Sequence, residues 1–266
     1  MPVELEILKN SVARIHLNNP KTYNSLSPED SQNLLDQLKQ CRDDQAVRVV
    51  VFSGEGKHFS SGADLKAYDS LMNDCRTGKR SIADLRHIYT ILTDIHRVLR
   101  DPNLLSIAAP QGTAAGQGLE LCIGSDFTVA SDDAKFYFAE TQVGAIMTSG
   151  MGKLLPQMVG LGNARRLMLF GEKLEMEEAK QMGLVTQVVP KGQQVEVAIE
   201  RAERLAAGAP LALAIQKRIL DAQGSMDLSS VQEFEASVAT WIGLTHDAVE
   251  AGQAFLEKRP PEFKGF

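Results

Sequence analysis

The sequence predicts an α/β core followed by a helical C-terminal region, and three observations carry that prediction. Short apolar runs bounded by glycine, proline or asparagine recur through the first part of the chain, as buried strands do. Segments with apolar residues at helical spacing alternate with them. Beyond Gly192 the strand signals stop, and only helical segments remain, broken at Gly208-Ala209-Pro210, Gly224-Ser225 and Gly243. The 266 residues suit one large domain with a helical appendage, divided as a core over 1–190 and a helical region over 191–266.

Each element has its own local reason. Val3–Leu8 and Val12–Leu17 alternate apolar and polar residues across Asn10-Ser11, the pattern of a hairpin. Asn18-Asn19-Pro20-Lys21 closes it in a turn. Ser27 is a natural N-cap, with Pro28 at the first helical position and acids in the first turn; Leu34, Leu35 and Leu38 then mark a buried helical face running to about Cys41. Val47–Phe52 reads as a buried strand, residues 67–80 as irregular, and Ser81–Arg100 as an amphipathic helix. Leu104–Ala109, stopped by Pro110, and Asp126–Ala130 read as strands flanking the start of a buried helix at Leu119–Ile123. Residues 141–152, rich in small side chains, read as a flexible stretch. Helical patterns cover 154–159, 163–170 and 176–182, and Leu184–Val189 is a short strand.

Composition excludes several classes of function. The formal charge is −6 and no basic stripe with interleaved aromatics is present, so no nucleic-acid partner is expected. No apolar run reaches the ~18 residues of a membrane span. Met1-Pro2-Val3-Glu4-Leu5-Glu6 has neither the basic nor the apolar region of a secretory signal. Cys41, Cys75 and Cys122 are odd in number, widely spaced and without a CxxC, which fits a reducing, cytoplasmic setting and argues against a zinc site or disulfide frame. No His-x-x-x-His or acid/histidine cluster suggests a metal.

Two small-residue loops stand out as the chemistry of the chain. Gly112-Thr113-Ala114-Ala115-Gly116-Gln117-Gly118 follows a strand and opens a helix that carries Glu120. A helix N-terminus presents unpaired N–H groups and favours negative charge, so oxyanion donor and carboxylate would face one reacting molecule. His58-Phe59-Ser60-Ser61-Gly62-Ala63-Asp64-Leu65-Lys66 repeats the arrangement, and two such loops are able to aim one N–H each at the same oxygen. The competing reading is structural: a tight strand-to-helix turn with a local Glu, and a turn capped by Asp64. A dinucleotide loop is disfavoured, because several strands precede the glycines and no Tyr-x-x-x-Lys accompanies them. A P-loop and a Gly-x-Ser-x-Gly elbow are absent. Tyr68, Leu71, Met72, Leu85 and Tyr89 form an apolar and aromatic stripe that lines either a ligand pocket or plain core.

The chain resembles the enoyl-CoA hydratase/isomerase (crotonase) family over essentially its whole length. The resemblance rests on Asn18-x-Pro20-x-x-x-Asn24-Ser25-Leu26, Phe59 to Lys66, Ala115-Gly116-Gln117-Gly118-Leu119-Glu120-Leu121, Ser125-Asp126, Ala134 to Glu140, Ala179-x-x-x-Gly183-Leu184-Val185 and Phe255-Leu256-Glu257-Lys258-Arg259. It implies a spiral of ββα turns with a C-terminal helical trimerisation region, assembled as a homotrimer or homohexamer. It also implies an acyl-CoA thioester substrate, with no cofactor beyond the coenzyme A of that substrate, and an enolate held in an oxyanion hole. On the matching positions, the N–H groups of Ala63 and Gln117 are the donors, and Glu120 and Glu140 are the carboxylates. Ala63, Asp64, Leu65 and Lys66 would meet coenzyme A, with Phe255 and Lys258 of the terminal helix at its nucleotide. Tyr68, Leu71, Met72, Tyr89 and Met147 would line the acyl pocket. The reaction implied is water addition across the 2,3 double bond, with isomerisation, decarboxylation, hydrolysis or a non-catalytic interaction role as alternatives. Two departures matter. Gln117 stands where many members have glycine, which keeps the main-chain donor but leaves the loop less free to adopt φ > 0. Ile146 to Gly152 replaces a Pro-Gly-Ala-Gly-Gly-like segment at the acyl end, so an unusual acyl group is expected.

Overall fold

A computed structural model describes residues 2–266, so Met1, which belongs to the N-terminal reading above, lies outside the described residues. The chain opens with the expected hairpin, β1 (Val3–Ile7) antiparallel to β2 (Val12–Leu17), turned by Asn10 and Ser11, both at positive φ. Helix α1 (Pro28–Asp43) leads to β3 (Val49–Gly54), and α2 (Leu65–Arg76) with α3 (Ile82–Leu99) leads to β4 (Leu105–Ala108). Next come β5 (Thr113–Ala115), α4 (Gln117–Gly124), β6 (Phe127–Ser131) and β7 (Lys135–Tyr137). Helix α5 (Met151–Phe170), β8 (Lys173–Glu175), α6 (Met176–Gln181) and β9 (Gln187–Val189) complete the spiral, before α7 (Gln194–Ala206), α8 (Pro210–Ala222), α9 (Leu228–Ile242) and α10 (His246–Glu257).

The six-stranded sheet runs β1-β2-β3-β4-β6-β9, parallel from β2 onward, while β5-β7-β8 form a second, smaller sheet. Isolated bridges join Leu26 to Ala63 and Ser60 to Ala114. Each turn of chain therefore adds one strand to the large sheet and one short extended segment to a second ladder, which is the spiral of ββα turns. Every residue of β3 is buried, as a parallel strand covered on both faces requires. One face packs on α7 through Ala198, Ala202 and Ala206, and the other carries the main core with Phe52, Phe59, Phe136 and Phe138.

Buried polar residues explain motifs that apolar periodicity cannot. The Asn24 amide donates to the carbonyls of Glu55, His58 and Phe59, stapling the first turn of the spiral to the second. Asp126 accepts from Ser106 and from the buried ammonium of Lys217, whose Nζ also donates to the carbonyls of Leu99 and Leu104. Helix α8 is thereby tied to the sheet by a fully satisfied buried pair; removing either partner would strand a charge.

One expectation is corrected and two are refined. Residues 67–80 are largely helical: α2 starts on the Asp64 side chain, which accepts from Lys66 and Ala67 N–H. Only Tyr68 and Leu71 of that helix are buried, so its apolar stripe is too narrow to read as a period. Strands β5, β7 and β8 have three residues each and carry no detectable alternation; pairing alone makes them strands. The helical stretches at 154–159 and 163–170 are two arms of α5, joined at Gly160, whose φ of 78° is non-helical.

Candidate active site

Two loops meet at two glycines. Gly62 has φ +89°, and a Cβ built there would stand 2.7 Å from the Ala115 carbonyl oxygen, 3.0 Å from Gly116 Cα and 3.1 Å from Gln117 N. Gly116, at φ 49° and ψ −128°, occupies backbone space open essentially to glycine alone. A Cβ on Gly116 would lie 3.9 Å from Ala63 N and 3.8 Å from Glu140 Oε1. The amides of Ala63 and Gln117 and the carboxyl of Glu140 thus surround one small space. Positive φ falls on Gly116 and not on Gln117, which is the first helical residue of α4, so a side chain at 117 costs the loop nothing.

Neighbouring hydrogen bonds leave the right amides unused. The Gly62 N–H donates to Ser60 Oγ and the Asp64 N–H to the Leu26 carbonyl, whereas the Ala63 N–H has no acceptor among the described residues. The Gln117 N–H also has none, as the first amide of a helix. The Gln117 side chain points to α1 and exchanges hydrogen bonds with Ser31. Such free, preorganised donors are what a developing oxyanion needs.

The two carboxyl groups sit in opposite environments. Glu120, only 2% exposed, accepts from Thr148 N–H at 2.6 Å and Thr148 Oγ1 at 3.1 Å on one oxygen. Its other oxygen accepts from the Thr148 and Ser149 hydroxyls, each at 3.3 Å. Glu140 is half-buried, and its Oε1 has no hydrogen-bond partner. Burial above all, with the nearby Glu120 adding, pushes the Glu140 carboxyl above the usual glutamate range. One carboxylate is solvated by a loop; the other is held where its proton is favoured.

The remaining predicted residues divide. Tyr68 and Leu71 are buried and form a small apolar cluster with Ile88, Leu85 and Ala63, so they border the amides. Met72 is half-buried and Tyr89 is 37% exposed, while Met147 packs into the main core. Lys66 and Leu65 are exposed at the start of α2, and Asp64 is engaged as its cap. Phe255 and Lys258 lie exposed at the end of α10, and among the described residues no hydrogen bond joins α10 to the loops of Ala63 and Gln117. Sequence reasoning singled out the Ile146–Gly152 loop but not the role of its Thr148 and Ser149, which hold Glu120, and it missed His96, whose ring contacts the Glu120 carbonyl. No motif marks them; only tertiary proximity does.

Comparison with known proteins decides the family, because a model described as enoyl-CoA hydratase/isomerase matches residues 8–265. The chain belongs to the enoyl-CoA hydratase/isomerase family. A mitochondrial enoyl-CoA hydratase of Pongo abelii is 33% identical over 96% of this chain and 84% of that protein. An (E)-benzylidenesuccinyl-CoA hydratase of Thauera aromatica is 32% identical, with both chains covered in full. The crystal structure of an enoyl-CoA hydratase from Bacillus anthracis superposes with a TM-score of 0.89 at 32% identity, again with both chains covered in full. The Ile146–Gly152 loop supplies the donors to Glu120. A cleft of about 440 Å³, lined by residues of α8 such as Leu213 and Lys217 and of the sheet such as Leu105 and Phe127, contains none of the predicted site residues. No helix among the described residues is long and apolar enough to cross a membrane.

Proposed function

We propose that the chain is an enoyl-CoA hydratase that adds water across the 2,3 double bond of an acyl-CoA thioester. The single observation that carries this reading is the meeting of two free amides with the Glu140 carboxyl, on which the charge of the loop-held Glu120 also acts. The thioester carbonyl accepts from the Ala63 and Gln117 N–H groups, and these bonds strengthen as charge moves onto oxygen. One such donor is typically worth about 2.7–4 kcal/mol in the transition state. Glu120, oriented by Thr148 and Ser149, takes a proton from water as the water oxygen bonds to the β-carbon. Glu140 gives its proton to the α-carbon, where the enolate electron pair forms the new C–H bond. A turnover screen across enoyl-CoA esters tests the assignment: mass gain of one water is expected. Double-bond migration without mass gain would favour an isomerase, and loss of carbon dioxide a decarboxylase.

The raised affinity of Glu140 for its proton has a measurable consequence. The folded state binds that proton more tightly than the unfolded chain. Its contribution to stability is fully present below the ordinary glutamate pKa and is lost as pH rises through the raised folded value. Glu140→Gln is therefore expected to gain stability relative to wild type between acid and neutral pH. Denaturant titrations of both proteins across that range check the sign.

Coenzyme A would lie along the start of α2, with Lys66 at its phosphates and Ala63, Asp64 and exposed Leu65 beside its pantetheine arm. Phe255 and Lys258 would serve the nucleotide of a neighbouring subunit, since this chain leaves them turned to solvent. Assembly is supported by α9, which buries no residue, and by the exposed Leu228, Trp241, Leu244, Val249 and Leu256. Residues 191–266 are accordingly read as the region of trimerisation and coenzyme A contact. Sedimentation is expected to give three or six copies of the 29.0 kDa chain, and Trp241→Glu with Leu244→Glu to yield smaller species. A wild-type monomer would refute the assembly.

A further inference from the structure

Tyr68 is 6% exposed, yet its hydroxyl has no hydrogen-bond partner. It stands in the apolar cluster that includes Ala63, one of the two residues with a free amide. The Ser31 hydroxyl is a hydrogen-bonding neighbour that opposes the effect of burial on the phenol, but the two make no hydrogen bond of normal geometry, and Ser31 is engaged with the Ser27 carbonyl and the Gln117 side chain. A buried phenol without a partner costs free energy, and such groups are normally satisfied by water, protein or ligand. Burial raises the pKa of this phenol, so it remains a neutral donor. The titratable groups that bear on it are Tyr89 and Glu120, with no cation among them, which disfavours a carboxylate beside it.

Building on the hydratase reading, we propose that Tyr68 is a specificity residue that donates a hydrogen bond to a neutral oxygen on the acyl chain, so that the preferred substrates are oxygenated enoyl-CoA esters. An apolar chain leaves the hydroxyl unpaired, whereas a hydroxyl or keto oxygen on the acyl group satisfies it. The cost of leaving a buried donor unpaired against an apolar chain is recovered when an acyl oxygen accepts from it.

Binding of saturated esters isolates this contact from the chemistry. Calorimetry with hexanoyl-CoA and with 4-, 5- and 6-hydroxyhexanoyl-CoA is expected to show at least one hydroxy ester bound about tenfold tighter by wild type. In Tyr68→Phe that ratio is expected to fall to near one. Equal binding of all four esters by wild type, or a ratio that survives Tyr68→Phe, would overturn the proposal. The melting temperature of the ligand-free variant is expected to equal or exceed that of wild type; a lower one would mean the hydroxyl already has a partner, and would also overturn it. Failure of the hydratase reading shows separately, as no water addition to hex-2-enoyl-CoA, while the binding ratios still report on Tyr68.

Discussion

Glu120→Gln is expected to lower kcat for water addition about 10²–10⁴-fold, the usual range for losing one general acid or base. The variant should stay folded. The amide oxygen still accepts from Thr148 N–H, and the amide NH₂ donates to the Thr148 and Ser149 hydroxyls that now donate to the carboxylate. Glu140→Gln should cost a similar factor, because no donor replaces its proton. Combining both changes should cost less than the product of the single effects, since the residues act on one water and one enolate. Steady-state kinetics on hex-2-enoyl-CoA decide the matter. Near-normal turnover in either variant removes that residue from the mechanism, and isomerisation that survives Glu120→Gln without hydration would favour an isomerase.

Gly62→Ala is the second large effect. Its φ of +89° is rarely adopted by L residues, and the added methyl would meet the Ala115 carbonyl at 2.7 Å and Gln117 N at 3.1 Å. The loops must part, and the amides of Ala63 and Gln117 no longer aim at one oxygen. Loss of one effective donor predicts a fall in kcat of about 10²–10³-fold. Far-ultraviolet circular dichroism and melting temperature should show the spiral intact, because the collision lies at the rim of the site and not among the phenylalanines of the core. A variant with full kcat would remove the two amides from the reaction.

Much of the fold was legible in the sequence, and the reason differs by element. The capped start of α1 was plain because Ser27, Pro28 and Asp30 act within four residues; the structure completes a capping box there. Buried strands β3 and β4 announced themselves through continuous apolar runs. Helix α2 did not, because only two of its residues are buried, and β5, β7 and β8 are too short to show a period. Within the site, Glu120 was conspicuous as an acid in an apolar helix, whereas its partners Thr148 and Ser149 look ordinary in any sequence.

What the sequence determined by itself are the features made by neighbours along the chain: caps, turns, buried strands, and small-residue loops that open helices. Only the tertiary structure decided that Gly62 and Gly116 abut, that two amides separated by more than fifty residues remain unpaired in one space, and that Glu120 is solvated by a loop while Glu140 is not. The physical reason is that a side chain's protonation and a free amide's aim depend on what lies across the fold, and local spacing carries no record of it.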